Sequence, residues 1–387
     1  MELSFSNEPG RSNGAVMLKN LYGESRTART QAELDAAVLL HERFATQRGG
    51  RRAQLGKSDL SGLRLANRNL AEADFSGASL VGASLFGAKL QRASLYCADL
   101  QRCDMRHADL THADMRGVSL KGANLSFAKL DNADLRAAMM MYMGAEGIAI
   151  VDHGEAAGDG TVDFSNCSLK RASFGNAKLD GANFSGAMLQ GANFRGAKLK
   201  NVKFEGAILT GVDLKDIGAP PEAFAGCITD VTPAALAKFD MLRSRLDAHQ
   251  EWIVSAGKQG SHCVLDGEDI RMLQKLVVGR PLTGLSARGA VAVGLNFAGS
   301  QLQGARFDGA DLRDADFTGA DLRGASFADA KIGHAKFDKA DLRSLVLGSG
   351  QVRAVHFEGA LGSESQFAGA LLDDGDVSQL GLIQRAA

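Results

Sequence analysis

Four residues within one short stretch, Cys97, Cys103, His107 and His112, are of the types that hold zinc, and on paper they resemble a metal cluster. A second concentration, His249, Trp252, His262 and Cys263, lies close together in sequence and is the only place in the 219–280 segment where an enzymatic site suggests itself. Neither set falls in a motif with its own mechanism. The chain has no Walker loop, dinucleotide fingerprint, HExxH helix or serine nucleophile elbow. Its GxG spacings follow from glycine recurring at turns and carry no weight. Whether either set can act depends on the elements that position it.

Those elements are set by a period of five. From Leu60 a large apolar residue recurs at every fifth position, through Leu65, Leu70, Phe75 and Leu80 to Leu135, and two residues before most of them sits a small one such as Ala73, Ala78 or Cys103. The pattern returns one residue out of step from Phe164 to Leu214, and a third time from Phe297 to about Leu372 with a lapse at Gly362. On a helix, steps of five rotate the side chain by roughly 140° each and build no apolar face. On a flat strand an odd period alternates faces. A chain that turns a corner every five residues satisfies it. The small and large residues, two apart, both point inward, and the residue between them points out. The remaining two positions make the turn.

The coil has four sides. The large residue alternates through Phe164, Leu169, Phe174, Leu179 and Phe184, and again through Phe297, Leu302, Phe307, Leu312 and Phe317. With about twenty residues per coil, Phe stacks on Phe, whereas three sides would set Phe over Leu; ring stacking contributes roughly 0.5–1.5 kcal/mol per pair. This spacing also argues against the metal cluster. The residues stacked twenty positions on from Cys97, Cys103, His107 and His112 are Gly117, Ala123, Phe127 and Asn132, and none completes a ligand set. Cys103 and Cys167 hold the small inward position and read as compact hydrophobes. No metal, cofactor or catalytic residue is expected, and a lumen filled by Leu and Phe leaves no room for a substrate.

Segments such as Ala182-Asn183-Phe184-Ser185-Gly186 and Ala310-Asp311-Leu312-Arg313 resemble the A(D/N)LXX signature of the pentapeptide-repeat family, over about 200 of the 387 residues. The resemblance implies an all-β solenoid, a right-handed quadrilateral β-helix with helical caps and inserts, in agreement with the geometry above. Departures fall at Leu63, Arg68, Val118, Leu345 and Gly350.

Three segments break the repeat. Residues 30–47 read as an amphipathic helix with Thr30 as N-cap and Glu33 three residues on. Residues 232–256 read as another, with Thr232 as N-cap and Pro233 in the first turn. His41-Glu42-Arg43-Phe44 in one matches His249-Gln250-Glu251-Trp252 in the other, which implies a duplication of cap helix plus solenoid. An open solenoid end exposes core and strand edges, so His41, Phe44, His249 and Trp252 are read as cap contacts. The third segment, 138–160, carries Met139, Met140, Met141, Tyr142 and Met143 ahead of a Gly-rich run. It is either a bulge packed on the solenoid or an adaptable Met-rich surface for a partner. The expected organisation is a flexible segment 1–29, a cap and linker 30–57, a first solenoid 58–217, a second cap 218–281, a second solenoid 282–375 and a tail 376–387.

The 44 basic and 45 acidic side chains nearly cancel, which gives no reason to expect direct nucleic-acid binding. The five scattered cysteines suit a reducing compartment, and neither a signal peptide nor a membrane span is read, so a cytoplasmic protein is expected. By family resemblance the outward Asp residues raise a second reading, a B-DNA mimic directed at DNA gyrase or another topoisomerase. Only the block 295–375, with twelve acidic and eight basic residues, suits it, through Asp311, Asp316 and Asp321. Arg313, Arg323 and Arg343 oppose that face. The favoured expectation is a non-enzymatic scaffold that presents rigid faces and inserted loops to another protein. The oligomeric state, a homodimer included, is left open.

Overall fold

The computed structural model describes residues 17–19, 25–138, 140–144, 147–151 and 161–383. It divides into two compact units, Met1–Asp230 and Val231–Ala387. Each is a right-handed quadrilateral β-helix.

Each side of a coil contributes one bridging residue to a parallel ladder with the coil twenty residues on, as in Asp59–Ser79 and Ser79–Asp99. The bridging residue is the outward one. Asp99 donates its N–H to the Ala78 carbonyl at 2.9 Å and accepts from the Leu80 N–H at 2.7 Å, so backbone groups are paired above and below. The corner closes locally, with the Ala83 N–H donating to the Leu80 carbonyl at 2.8 Å. One corner residue has positive φ. At Gly117 (φ 67°) both backbone and space demand glycine, because a Cβ there would lie 2.7 Å from the Ala138 carbonyl and 2.8 Å from the Cys97 sulfur.

The lumen is solid. Leu and Ala layers fill the upper coils of the first unit, and Phe164, Phe174, Phe184 and Phe194 are buried below them. Phe164 stacks on Phe184 at 4.9 Å and 5°, and meets Phe174 edge-on at 6.0 Å across the lumen. The second unit repeats the arrangement from Phe297 to Phe367. Twenty-residue stacking of parallel rings is the relation the alternation of Phe and Leu implied.

Strands β1 (Met17–Lys19), β2 (Ser25–Ala28) and β3 (Ser58–Asp59) form a small sheet, with β2 lying parallel to β3 at the edge of the first coil. Residues 25–28, within the lead-in read as flexible, are therefore a strand. Helix α1 (Gln31–Ala45) starts on a capping box in which the Thr30 side chain accepts from the Glu33 N–H. It buries Leu34, Val38 and His41 against the coil.

Two interruptions leave the ladder intact. Asn124 bridges Asp163, thirty-nine residues on instead of twenty. The nineteen extra residues are not a multiple of five, which accounts for the slip of one residue in the repeat. They carry β4 (Met140–Gly144) paired antiparallel with β5 (Gly147–Val151). In the second unit Ser326 bridges His356, thirty residues on, and the ten extra residues form a hairpin of β6 (Leu345–Val346) and β7 (Val352–Arg353).

Two boundaries differ from the sequence reading. The first unit extends past 217 to 230, because Ile228 bridges Ile208 and the Cys227 thiol donates to the Phe204 carbonyl at 2.9 Å, beyond the short helix α2 (Leu214–Ile217). The helix expected over 232–256 is two helices, α3 (Pro233–Leu236) and α4 (Phe239–Val254). Thr232 caps only α3, where its hydroxyl accepts from the Ala235 N–H. The long helix α4 buries Leu242, Leu246 and His249.

Candidate functional surfaces

Of the four residues that resembled a metal cluster, Cys97 and Cys103 are buried and His112 is exposed. Cys103 sits in the inward small position and its thiol donates to the Leu80 carbonyl at 2.8 Å; burial pushes its pKa up to about 12. Cys167 does the same to Leu125, and burial raises it well above the ordinary range. His107 lies between two rings, stacked on Phe127 at 5.4 Å and edge-on to Phe86 at 5.3 Å. Among the described residues no group of His, Cys, Asp or Glu is arranged to hold a metal ion.

His249, Trp252 and His262 do come together, each ring centroid 5.6 Å from the other two. One ring nitrogen of each histidine is engaged with backbone. His249 Nδ1 accepts from the Cys263 N–H at 3.1 Å, and His262 Nε2 lies 2.5 Å from the Gly284 carbonyl. Cys263 is buried, which raises its thiol to about 11 and keeps it un-ionised. The cluster joins α4 to the first coil, with His249 and Cys263 buried and His262 exposed. In the first unit His41 stands in the corresponding place, with Nδ1 accepting from the Ala53 N–H at 3.1 Å and its ring 6.0 Å from Phe44.

A second tie, not foreseen from sequence, accompanies each histidine. Arg68 reaches α1 and forms a two-pronged pair with Glu42 at 2.9 and 3.1 Å, and Arg280 reaches α4 and bonds Asp247 at 3.0 Å. Both arginines occupy the inward small position two residues before a core leucine, Leu70 or Leu282. The signal was the departure from Ala at Arg68.

The outward carboxylates are neutralised locally. A recurring Asp-x-Arg pattern folds each guanidinium back onto the carboxylate two residues earlier: Asp104 with Arg106, Asp114 with Arg116, Asp321 with Arg323 and Asp341 with Arg343. In the expected acidic face, Asp311 is itself buried and held by Arg313 at 2.5 Å, Asp321 is held by Arg323 at 2.7 Å, and Asp316 faces Lys336 at 3.6 Å. The Arg323 guanidinium beside Asp321 and the backbone and hydroxyl of Thr318 beside Asp316 keep both carboxyls below the usual range despite partial burial. The three do not form the single acidic face read from the sequence: five residues apart, they lie on successive sides of one coil and bridge Lys331, Lys336 and Asp341 in separate ladders, with little unpaired negative charge.

Of the Met-rich segment, Met139 lies outside the described residues. Met140, Met141, Tyr142 and Met143 form β4, with Tyr142 opposite Ala149 on β5. At the foot of that hairpin is a shallow recess of about 280 Å³ lined by Tyr96, Arg116, Arg136, Ala138 and Asn176. The Arg116 guanidinium lies 5.2 Å over the Tyr96 ring, and each arginine is held by its own aspartate. The β6–β7 hairpin, unread in the sequence, exposes Val346, Leu347 and Val352, at 68%, 38% and 62%. No helix among the described residues is long and apolar enough to cross a membrane.

Solid four-sided coils with capped ends and projecting hairpins define a solenoid repeat protein. The chain belongs to the pentapeptide-repeat family, whose model matches eight times, over residues 51–85, 83–122, 98–136, 119–142, 162–196, 177–216, 282–319 and 305–343, together more than half of the sequence. Among solved structures it is similar to HetL, a pentapeptide repeat protein involved in heterocyst differentiation regulation from the cyanobacterium Nostoc, at 21% identity over 78% of this chain and 82% of that one, with a TM-score of 0.23. It is similar also to full-length QnrB1, a plasmid-mediated fluoroquinolone resistance protein, at 20% identity over 48% of this chain and 90% of that one, TM-score 0.21. A third is Rfr23 from the cyanobacterium Cyanothece, at 20% identity over 44% and 88%, TM-score 0.16. No curated protein matches the sequence.

Proposed function

We propose that this chain is a non-enzymatic protein-binding scaffold, in which rigid coils hold two projecting hairpins for a protein partner. The observation that carries the reading is the continuity of the core across an interruption. Phe327 and Phe357 stack at 4.6 Å and 1°, although ten extra residues leave and rejoin the coil between them. A segment whose removal the core would not notice is not there for stability. The same holds for 140–151 in the first unit, where Lys129–Ser168 and Asp134–Ser173 continue the ladder unbroken. Binding at such a site orders little of the framework, which lowers the entropic cost of association.

The topoisomerase-directed alternative needs a column of unpaired carboxylates, and Asp311 and Asp321 spend theirs on Arg313 and Arg323. The enzymatic alternative within 219–280 needs a free base, and His249 gives its acceptor nitrogen to Cys263. The test is capture from native lysate with the full chain, a version with 139–157 replaced by a short Gly-Ser link, and one lacking 345–354. A protein held by the full chain and lost with either hairpin supports the scaffold reading. One held equally by all three moves binding to the coil faces and counts against it.

A further inference from the structure

We propose that both cap helices are fastened by neutral-histidine latches that open in mild acid. The latch is built twice. His41 on α1 is fully buried and its Nδ1 accepts the N–H of Ala53 at 3.1 Å; His249 on α4 is fully buried and its Nδ1 accepts the N–H of Cys263 at 3.1 Å. Ala53 and Cys263 hold the same place, immediately before the first bridging residue of each coil stack, Gln54 in one and Val264 in the other. An accepting Nδ1 fixes the ring proton on Nε2, which in neither ring makes a well-directed hydrogen bond and has only the weak pull of a backbone group, Ala71 for His41 and Thr283 for His249. Each ring is therefore poised as a neutral acceptor. A protonated imidazole has no acceptor atom, so protonation sets N–H against N–H at the joint between cap and coil.

The surroundings favour the neutral ring. Burial acts first on His41 and holds its pKa below the ordinary value; Arg52 on the coil adds to this, while the backbone of Ala71, Glu42 on the helix and Glu72 on the coil work the other way. Burial acts first on His249 too, His262 adds to it, and only the backbone of Thr283 opposes. Cys263, raised to about 11, contributes no charge. With the folded-state pKa below that of the unfolded chain, the latch is whole above about pH 6.5. It weakens as pH falls from there toward the folded-state value, by up to about tenfold per pH unit. Glu42, held below the carboxylate range by Arg68, stays ionised through that window, so the ion-pair tie of α1 persists while the histidine lets go. The Arg280–Asp247 tie of α4 likewise involves no histidine, so the histidine is the part of each fastening that titrates in this window.

The experiment is residue-resolved amide exchange on the full chain at about pH 7.5 and about pH 5, expressed as protection factors so that the intrinsic pH dependence cancels. Ala53 and Cys263 are expected to lose protection, by up to about tenfold per pH unit below about pH 6.5, relative to the mid-coil amides of Asp99 and Asp311. The His41→Gln/His249→Gln double variant keeps an acceptor that does not titrate, and is expected to lose none of it. Should that variant fail to fold, ¹⁵N-imidazole NMR on the unmodified chain must find both rings titrating below the ordinary histidine value with Nδ1 bare at neutral pH. Unchanged relative protection at Ala53 and Cys263, an equal loss in the double variant, or two rings titrating at the ordinary value would each overturn the proposal.

Discussion

The Phe327 and Phe357 rings lie 4.6 Å apart and within 1° of parallel, the tightest stacked pair among the described residues, although they are thirty positions apart in the chain. Phe337 and Phe367, also thirty apart, stack at 4.7 Å. The β6–β7 hairpin thus leaves the coil at one corner and returns to it with the core in register. Its foot rests on Gly324, where a Cβ would lie 2.8 Å from the Leu345 side chain.

Excision of 345–354, joining Ser344 to Val355, restores a twenty-residue coil. The shortened chain is expected to keep its stability within about 1 kcal/mol, since loop closure depends only weakly on length. Denaturant midpoints of the two proteins check this.

Phe317 meets four rings: Phe297 and Phe337 face-on at 5.1 and 5.2 Å, and Phe307 and Phe327 edge-on at 5.7 and 5.6 Å. Phe317→Ala removes all four contacts and leaves a cavity that stacked coils cannot collapse. The expected loss is about 3–5 kcal/mol, with Phe317→Leu costing clearly less. Equilibrium unfolding of the two variants distinguishes them.

The Asp-x-Arg pairs differ in burial. Arg313 and Asp311 expose 6% and 10% of their side chains, Arg343 and Asp341 51% and 17%. Arg313→Ala strands a buried carboxylate and is expected to cost about 3–5 kcal/mol. Arg343→Ala is expected to cost under about 1 kcal/mol. A double-mutant cycle at each pair measures the difference.

The inward small position tolerates one hydrogen-bond donor. Ser300 donates to the Val277 carbonyl at 2.7 Å, twenty-three residues back, as Cys103 does to Leu80. Cys103→Ser is therefore expected to be neutral within about 1 kcal/mol, and Cys103→Val to cost about 1–3 kcal/mol by overpacking. In the folded chain Cys103 should resist alkylation at neutral pH and react only on unfolding.

Much of this was legible because the repeat is strict. The five-residue period, the four sides and the pairing of His41 with His249 all follow from residue types at fixed intervals. The first insertion announced itself because nineteen residues shift the phase. The second did not, because ten is two repeats: Leu345 and Gly350 read as irregular repeats, and the visible lapse in the sequence falls at Gly362. The break between α3 and α4 carries no Pro or Gly at Ala237 and Lys238 to mark it. Charge was the least legible property. In the sequence Asp311 and Arg313 read as opposing charges on an exposed face, whereas the corner folds one onto the other and buries both.

The most direct test of the scaffold account is the amide-exchange footprint of a captured partner on the full chain. The account predicts slowed exchange confined to 140–151 or 345–353, with the coil ladders unchanged. Protection centred on the coil that carries Asp311, Asp316 and Asp321, with both hairpins unaffected, would contradict it and return the binding surface to the coil faces.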